Sequence, residues 1–189
     1  SQNKERIKES KENLKYTNSS FHSTDLSKIE SVKYITENFQ TPDLIVANAG
    51  IAVNGAIGKL DEKEKNDAYY LMCGGVIDLI EGFVPKMIEN GGGRIVIISS
   101  IGAITAMPKS SIYSSIKSGI HAYGRSISAE LKNKNVSVTV SMPGYVRTAA
   151  HKRAGLDHLE NKVPSWMWIN ADQVVKETEK ASKDGKTEI

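Results

Sequence analysis

Two short runs, Asp43-Leu44-Ile45-Val46-Ala47 and Arg94-Ile95-Val96-Ile97-Ile98, are β-branched and lack polar alternation, which predicts strands buried on both faces of a parallel sheet. Val136-Ser137-Val138-Thr139-Val140 alternates instead and predicts a third strand, stopped by Pro143-Gly144. Between them the spacing becomes helical. Ile29, Val32, Ile35 and Phe39 recur three and four apart and predict a helix over Ser27 to Phe39, with Ser27 as its N-cap. Asp61 to Asn90 reads as two helical parts meeting near Gly74 and Gly75, and Gly91-Gly92-Gly93 ends the second. Ser111 to Leu131 is a long helix rich in small residues, and Ala171 to Lys183 a last one. Ser1 to Lys15 is dense in charge with Ile7 and Leu14 at helical separation, a solvated surface helix, and Phe21 to Thr24 fits a short strand before Asp25.

Strand, helix, strand, helix in that order, with crossovers long enough for parallel neighbours, places the chain in the doubly wound α/β class. No repeat, low-complexity stretch or linker divides it, so residues 1–189 read as one domain. Composition narrows the function without naming it. With 39% hydrophobic and 25% charged residues, the chain is an ordinary globule with a real core. The net charge of +3 is interspersed, which argues against nucleic acid and anionic membranes as partners. No apolar run approaches the ~18 residues of a membrane span, and a single cysteine, Cys73, excludes an internal disulfide and fits a reducing compartment, by default the cytoplasm. His22, His121, His151 and His158 are scattered, so no metal site is expected.

Tyr113 and Lys117 lie four apart on the predicted long helix and project from one face. A neighbouring ammonium favours the phenolate and makes the hydroxyl a usable acid or base near neutral pH. The spacing alone equally describes a surface pair on a helix. Ser100 lies at the end of a predicted strand, where open α/β sheets place their ligand crevice. Its hydroxyl can polarise a carbonyl there, although a cap or turn serine, as Ser99 could equally be, fits the same position.

Taken together, Asn48-Ala49-Gly50 after one strand, Ser100 with Tyr113-x-x-x-Lys117, and Pro143-Gly144-x-Val146-x-Thr148 after the next strand resemble the short-chain dehydrogenase/reductase family. The resemblance covers nearly the whole chain and implies a Rossmann-type doubly wound parallel sheet. It implies NAD or NADP as cofactor and a small-molecule ketone or secondary alcohol as substrate. Tyr113 would exchange a proton with the substrate oxygen, Ser100 would hold that oxygen, and Lys117 would bind the nicotinamide ribose and lower the Tyr113 pKa. Asn48, Ala49 and Gly50 would pack against the cofactor by backbone, and Asp25 and Leu26 would meet the adenine. Pro143, Gly144, Val146 and Thr148 would border the nicotinamide, with Thr148 near its carboxamide. Family members assemble through long helices, and the small side chains of Ser114, Ser118, Ala122 and Ser126 suit a homodimer or homotetramer.

Two departures stand against this resemblance. The family's Thr-Gly-x-x-x-Gly-x-Gly phosphate loop is absent from the sequence. The expectation is therefore an N-terminally incomplete domain, with the first strand, the loop and the second strand in about 35 to 45 residues upstream of Ser1. The family also often carries an asparagine three residues before a glycine on the preceding helix, where it helps a water relay protons to the lysine. Counting back from Gly75 puts Met72 there, and a thioether accepts hydrogen bonds only weakly and donates none. Both departures motivate a rival expectation, a noncatalytic family member serving as a binding or oligomerisation scaffold.

Residues 149–170 correspond to the family's substrate-covering loop and contain Trp166, Met167 and Trp168 near Pro164, which fit either an apolar lid or side chains packing the loop onto the core. Arg147 and Arg153 fit an anionic substrate group or, more simply, solvated surface charge.

Overall fold

The computed structural model describes residues 4–13, 18–105, 107–148 and 163–189. Helix α1 (Lys4–Asn13) and helix α2 (Ile29–Asn38) precede strand β1 (Leu44–Ala47). Helix α3 (Glu62–Tyr69) runs through a π turn (Tyr70–Gly74) into α4 (Gly75–Glu89), followed by β2 (Gly93–Ile98) and a 3₁₀ turn (Ile101–Ala103). Helix α5 (Ser111–Leu131), β3 (Val136–Ser141), β4 (Tyr145–Arg147), a 3₁₀ turn (Ser165–Met167), β5 (Trp168–Asn170) and α6 (Ala171–Lys183) complete the order.

The main sheet is parallel in the order β1-β2-β3, with Ile45 opposite Ile95 and Ile95 opposite Val138. Its core joins Ile45, Ile95, Ile97, Val138 and Val140 to Ile80, Phe83 and Met87 of α4 and to Ile120 and Ile127 of α5. The chain end adds a fourth position to the sheet. Glu188 bridges in parallel to Val140, Val140 N donates to Thr187 O (2.8 Å) and Met142 N donates to Ile189 O (2.7 Å). This pairing has no counterpart in the hydrophobic pattern, because three residues are too few to show a period.

The two-part helix forms as its glycines predict. Asp61 caps α3, its carboxylate accepting from Glu64 N at 2.7 Å. At the break, a side chain on Gly75 would stand 2.9 Å from Tyr70 O and 3.3 Å from Leu26 O, so the junction requires a residue without one. Helix α4 ends where Gly91 and Gly92 turn to φ +96 and +121, conformations that L side chains avoid.

Four expectations are corrected. Phe21–Thr24 is not a strand, and no described strand lies beside it to form a ladder. Side chains hold this segment instead, with the Lys11 ammonium 5.6 Å from the Phe21 ring centroid and the His22 ring edge-on to Phe39 at 4.7 Å. Ser27 is not the N-cap of α2, which begins after Lys28; the Ser27 hydroxyl and N–H both donate to the Asp25 carboxylate, at 2.7 and 3.0 Å, closing a turn before the helix. Strand β1 is not buried on both faces, since Ile45 and Ala47 are buried whereas Leu44 is 38% and Val46 53% exposed. Conversely, β3 is buried on both faces despite its alternation. Its polar side faces α6 and the chain end, where Ser141 Oγ meets Thr178 Oγ1 at 2.8 Å and Thr139 Oγ1 donates to Lys186 O at 2.6 Å.

A two-stranded parallel pair, β4 with β5, occupies sequence expected to be loop. Residues 149–162 of the expected substrate loop, including His151, Arg153 and His158, lie outside the described residues. No helix among the described residues is long and apolar enough to cross a membrane.

Candidate active site

The C-terminal ends of β1, β2 and β3 lie on one edge of the sheet, and the candidate residues gather at these exits. Asn48, Ala49 and Gly50 leave β1 exposed. Ser99 and Ser100 leave β2, Pro143 and Gly144 leave β3, and Ile101 N donates to Pro143 O at 3.0 Å to tie the last two exits together.

The two serines part in function. Ser99 is buried and donates its hydroxyl to the carbonyl of Lys117 at 3.0 Å, fixing α5 against the end of β2. Ser100 is extended (φ −168, ψ 155), caps the 3₁₀ turn and accepts the Gly102 N–H at 3.1 Å. That bond occupies a lone pair and leaves the Ser100 hydrogen for an outside acceptor. A side chain on Gly102 would stand 3.4 Å from Ser100 Oγ and 3.2 Å from Tyr113 Cε1, so the serine hydroxyl and the tyrosine ring converge on this glycine.

Tyr113 and Lys117 sit one turn apart on α5, with the Lys117 ammonium 5.9 Å from the Tyr113 ring centroid. Among the described residues the Tyr113 hydroxyl has no hydrogen-bond partner. Lys117 is only 6% exposed and donates to Ile98 O, the last residue of β2, at 2.9 Å. Burial pushes its pKa down to about 8, with a smaller opposing influence from Cys73 nearby. The Cys73 thiol is pushed up by its own burial.

Met72, 2% exposed, projects from the π turn into a small core of Val53, Ala68 and Ile116 beneath the loop after β1. Its Sδ accepts the Ile51 N–H at 3.4 Å and lies 3.5 Å from where a side chain on Gly50 would begin. This thioether, not an amide, therefore supports the Asn48–Gly50 exit from below.

The other expected cofactor contacts are less closely drawn together. The Asp25 carboxylate is turned onto Ser27, and Leu26 rests by its carbonyl on the start of α4. Val146 belongs to β4 opposite Ile169, and Thr148 follows it, exposed. A side chain on Gly144 would meet nothing within 4 Å, so the space beside this exit is open. The fit to a flat cofactor is thus good at the β1 and β3 exits, which expose backbone on either side of Ser100 and Lys117.

The family pattern described as short chain dehydrogenase matches residues 1–158. The chain belongs to that family. Among curated short chain dehydrogenase relatives, the 3-oxoacyl-(acyl-carrier-protein) reductase FabG of Chlamydia trachomatis serovar D is 30% identical over 147 residues, covering 76% of this chain and 59% of that protein. Dehydrogenase/reductase SDR family member 7B of Xenopus laevis is 34% identical over 130 residues, covering 66% and 40%. The chain thus spans well under two thirds of the length of these relatives. A solved short-chain dehydrogenase from Sphingobium yanoikuyae, in complex with NADPH, superposes with a TM-score of 0.79 over 88% of this chain and 65% of that one, at 20% identity. That likeness establishes a Rossmann-type fold, of which the parallel β1-β2-β3 sheet is part.

Three contributors were given no role at the site by the sequence. Gly102 carried no motif signal, the Ile98 carbonyl is backbone, and Ser99 was one of two adjacent serines whose division of labour depends on which faces α5.

Proposed function

We propose that the protein is an NAD(P)-dependent oxidoreductase that interconverts a ketone and a secondary alcohol. The observation that carries this reading is the convergence of the Ser100 hydroxyl and the Tyr113 ring on Gly102, with the buried Lys117 ammonium beside them. In the direction of reduction, the substrate oxygen accepts hydrogen bonds from Ser100 and Tyr113. Bound NADH or NADPH supplies the hydride that the carbonyl carbon receives. Tyr113 gives its proton to the oxygen, and the phenolate left behind is stabilised by the Lys117 charge, which low polarity makes more effective. Gly102 holds Ser100 Oγ so that its hydrogen faces the substrate.

On this reading Asn48, Ala49 and Gly50 would pack against the cofactor by backbone, Pro143, Gly144, Val146 and Thr148 would border its nicotinamide, and Asp25 and Leu26 would meet its adenine. The half-buried Cys73 suits a reducing compartment, and we assign the protein to the cytoplasm. We also propose a homo-oligomer through α5, although Ser118 is committed inward, donating to Ala103 O at 2.5 Å.

Met72 favours the second reading, a noncatalytic scaffold, because its thioether offers no proton relay. One experiment separates the two. In the whole protein, Tyr113→Phe should lower ketone reduction at least about a hundredfold while cofactor binding persists. Activity largely retained in that variant would overturn the assignment of Tyr113, and a whole protein that binds cofactor but reduces no ketone would establish the scaffold.

A further inference from the structure

Ser100 sits on a segment whose two ends are fastened to neighbouring residues of one helix. At the near end, the Ser99 hydroxyl donates to the carbonyl of Lys117 at 3.0 Å. At the far end, the Ser118 hydroxyl donates to the carbonyl of Ala103 at 2.5 Å. Ser100 and Gly102 lie between these two points, and the Tyr113 ring that faces Gly102 belongs to the same helix, α5.

The ends are not equally secure. Ser99 is also held by the sheet, its N–H donating to Ser141 O at 2.8 Å. Ala103 closes the 3₁₀ turn, and a carbonyl at the end of such a turn has no partner within it. Among the described residues, the Ser118 hydroxyl supplies that partner, and no other hydrogen bond joins Gly102 or Ala103 to α5. The direction of the bond is informative. A serine inside a helix commonly returns its hydrogen to a carbonyl of its own helix, as Ser115 does to Ile112 O at 2.8 Å and Ser126 to Ala122 O at 3.0 Å. Ser118 instead directs its hydrogen off the helix. Gly102 passes the fastening on to the reactive groups. Its N–H donates to Ser100 Oγ at 3.1 Å, and a side chain on it would stand 3.2 Å from Tyr113 Cε1, so a turn that drifts from α5 carries Ser100 away from Tyr113. We infer that Ser118 is a positioning residue, its hydroxyl clamping the 3₁₀ turn to α5 and so setting the separation of Ser100 and Tyr113. The effect on turnover rests on the oxidoreductase reading, whereas the clamp itself does not.

Ser118→Thr and Ser118→Val, alike in shape and differing by the hydroxyl, test this in the whole protein, with Ser118→Ala as the variant that suits a helix best. The Gly102 and Ala103 amides donate to Ser100 Oγ and Ser100 O, so their hydrogen exchange reports the turn. Exchange there should be about fivefold faster in the valine and alanine variants than in the parent or the threonine variant. With cyclohexanone and NADH or NADPH, kcat should fall at least about tenfold in the valine and alanine variants, with KM little changed, and threonine should restore it. Exchange equal in the threonine and valine variants would overturn the clamp, and faster exchange with undiminished kcat would overturn its positioning role. Faster exchange in a protein whose parent binds NADH or NADPH but reduces no ketone would leave the clamp standing and overturn the oxidoreductase reading instead.

Discussion

The Sδ of Met72 accepts the main-chain N–H of Ile51 at 3.4 Å, so a thioether terminates the donor that the loop after β1 turns inward. The bond is weak and the rest of the Met72 side chain is held by Val53, Ala68 and Ile116. Met72→Leu should therefore cost under about 1.5 kcal/mol. Met72→Asn, which places an amide among these apolar groups, should cost about 2 to 4 kcal/mol. Urea denaturation of both variants checks this; an asparagine variant as stable as the parent would mean that the pocket can solvate an amide.

Ser99 and Ser100 should cost similar stability when replaced but differ sharply in turnover. Ser99→Ala removes a buried hydrogen bond to the Lys117 carbonyl and should cost about 1 kcal/mol, with turnover little changed. Ser100→Ala removes the acceptor of the Gly102 N–H and should likewise cost about 1 kcal/mol, but it should also lower turnover at least about a hundredfold, as loss of a preorganised donor to the substrate oxygen does. Thermal melts and steady-state rates on the two variants decide the matter, and the opposite pattern would reassign the roles.

The parts legible in the sequence were those that repeat a period or break one. The 13-residue helix α6 runs from Ala171 to Lys183 as its spacing predicts, and the α3–α4 break falls at Gly74 and Gly75. The Tyr113–Lys117 pair was legible because four residues on a helix fix a shared face. Burial was misread where it depends on neighbours: β1 looks doubly buried by composition, yet Leu44 and Val46 are exposed, while β3 hides serine and threonine under α6. The β4–β5 pair and the chain-end ladder on β3 were illegible because three-residue strands carry no period and their partners are distant in sequence. For the same reason, motif spacing could place Ser100 and Tyr113 near each other but could not reveal Gly102 between them.

Two glycines in α5 should respond with opposite sign to the same substitution. Gly124 is buried, and a side chain there would overlap Val140 Cγ2 and approach Ile97 Cδ1 to 3.1 Å. Gly119 is exposed, and a side chain there would meet only Cys73 Sγ, at 3.5 Å. Alanine gains about 1 kcal/mol of helix propensity at either site. At Gly119 that gain should appear as a higher melting temperature, whereas at Gly124 overpacking of about 1 to 3 kcal/mol should outweigh it. Because α5 carries Tyr113 and Lys117, the Gly124 variant should also lose activity; a Gly124→Ala protein with a raised melting temperature would show that helix and sheet have room to separate.

Lys117 should give the stability a distinctive dependence on alkaline pH. Burial holds its folded-state pKa at about 8, below the ordinary 10.5 that applies in the unfolded chain. Between these values the unfolded state binds the proton more tightly, so this group's contribution to stability rises with pH from about 8 to about 10.5. Below the folded-state value the desolvated ammonium imposes its full penalty, on the order of 3 kcal/mol at ~1.4 kcal/mol per pH unit. Lys117→Met should remove the slope in that window. At neutral pH it relieves the desolvation but leaves the Ile98 carbonyl without its 2.9 Å donor, so the net change in stability should be smaller than the penalty itself, while ketone reduction is lost. Urea titrations of parent and variant between pH 7 and 10.5 measure the difference directly. Curves that stay parallel across the window would mean that Lys117 keeps an ordinary pKa and that its charge is solvated in the folded protein.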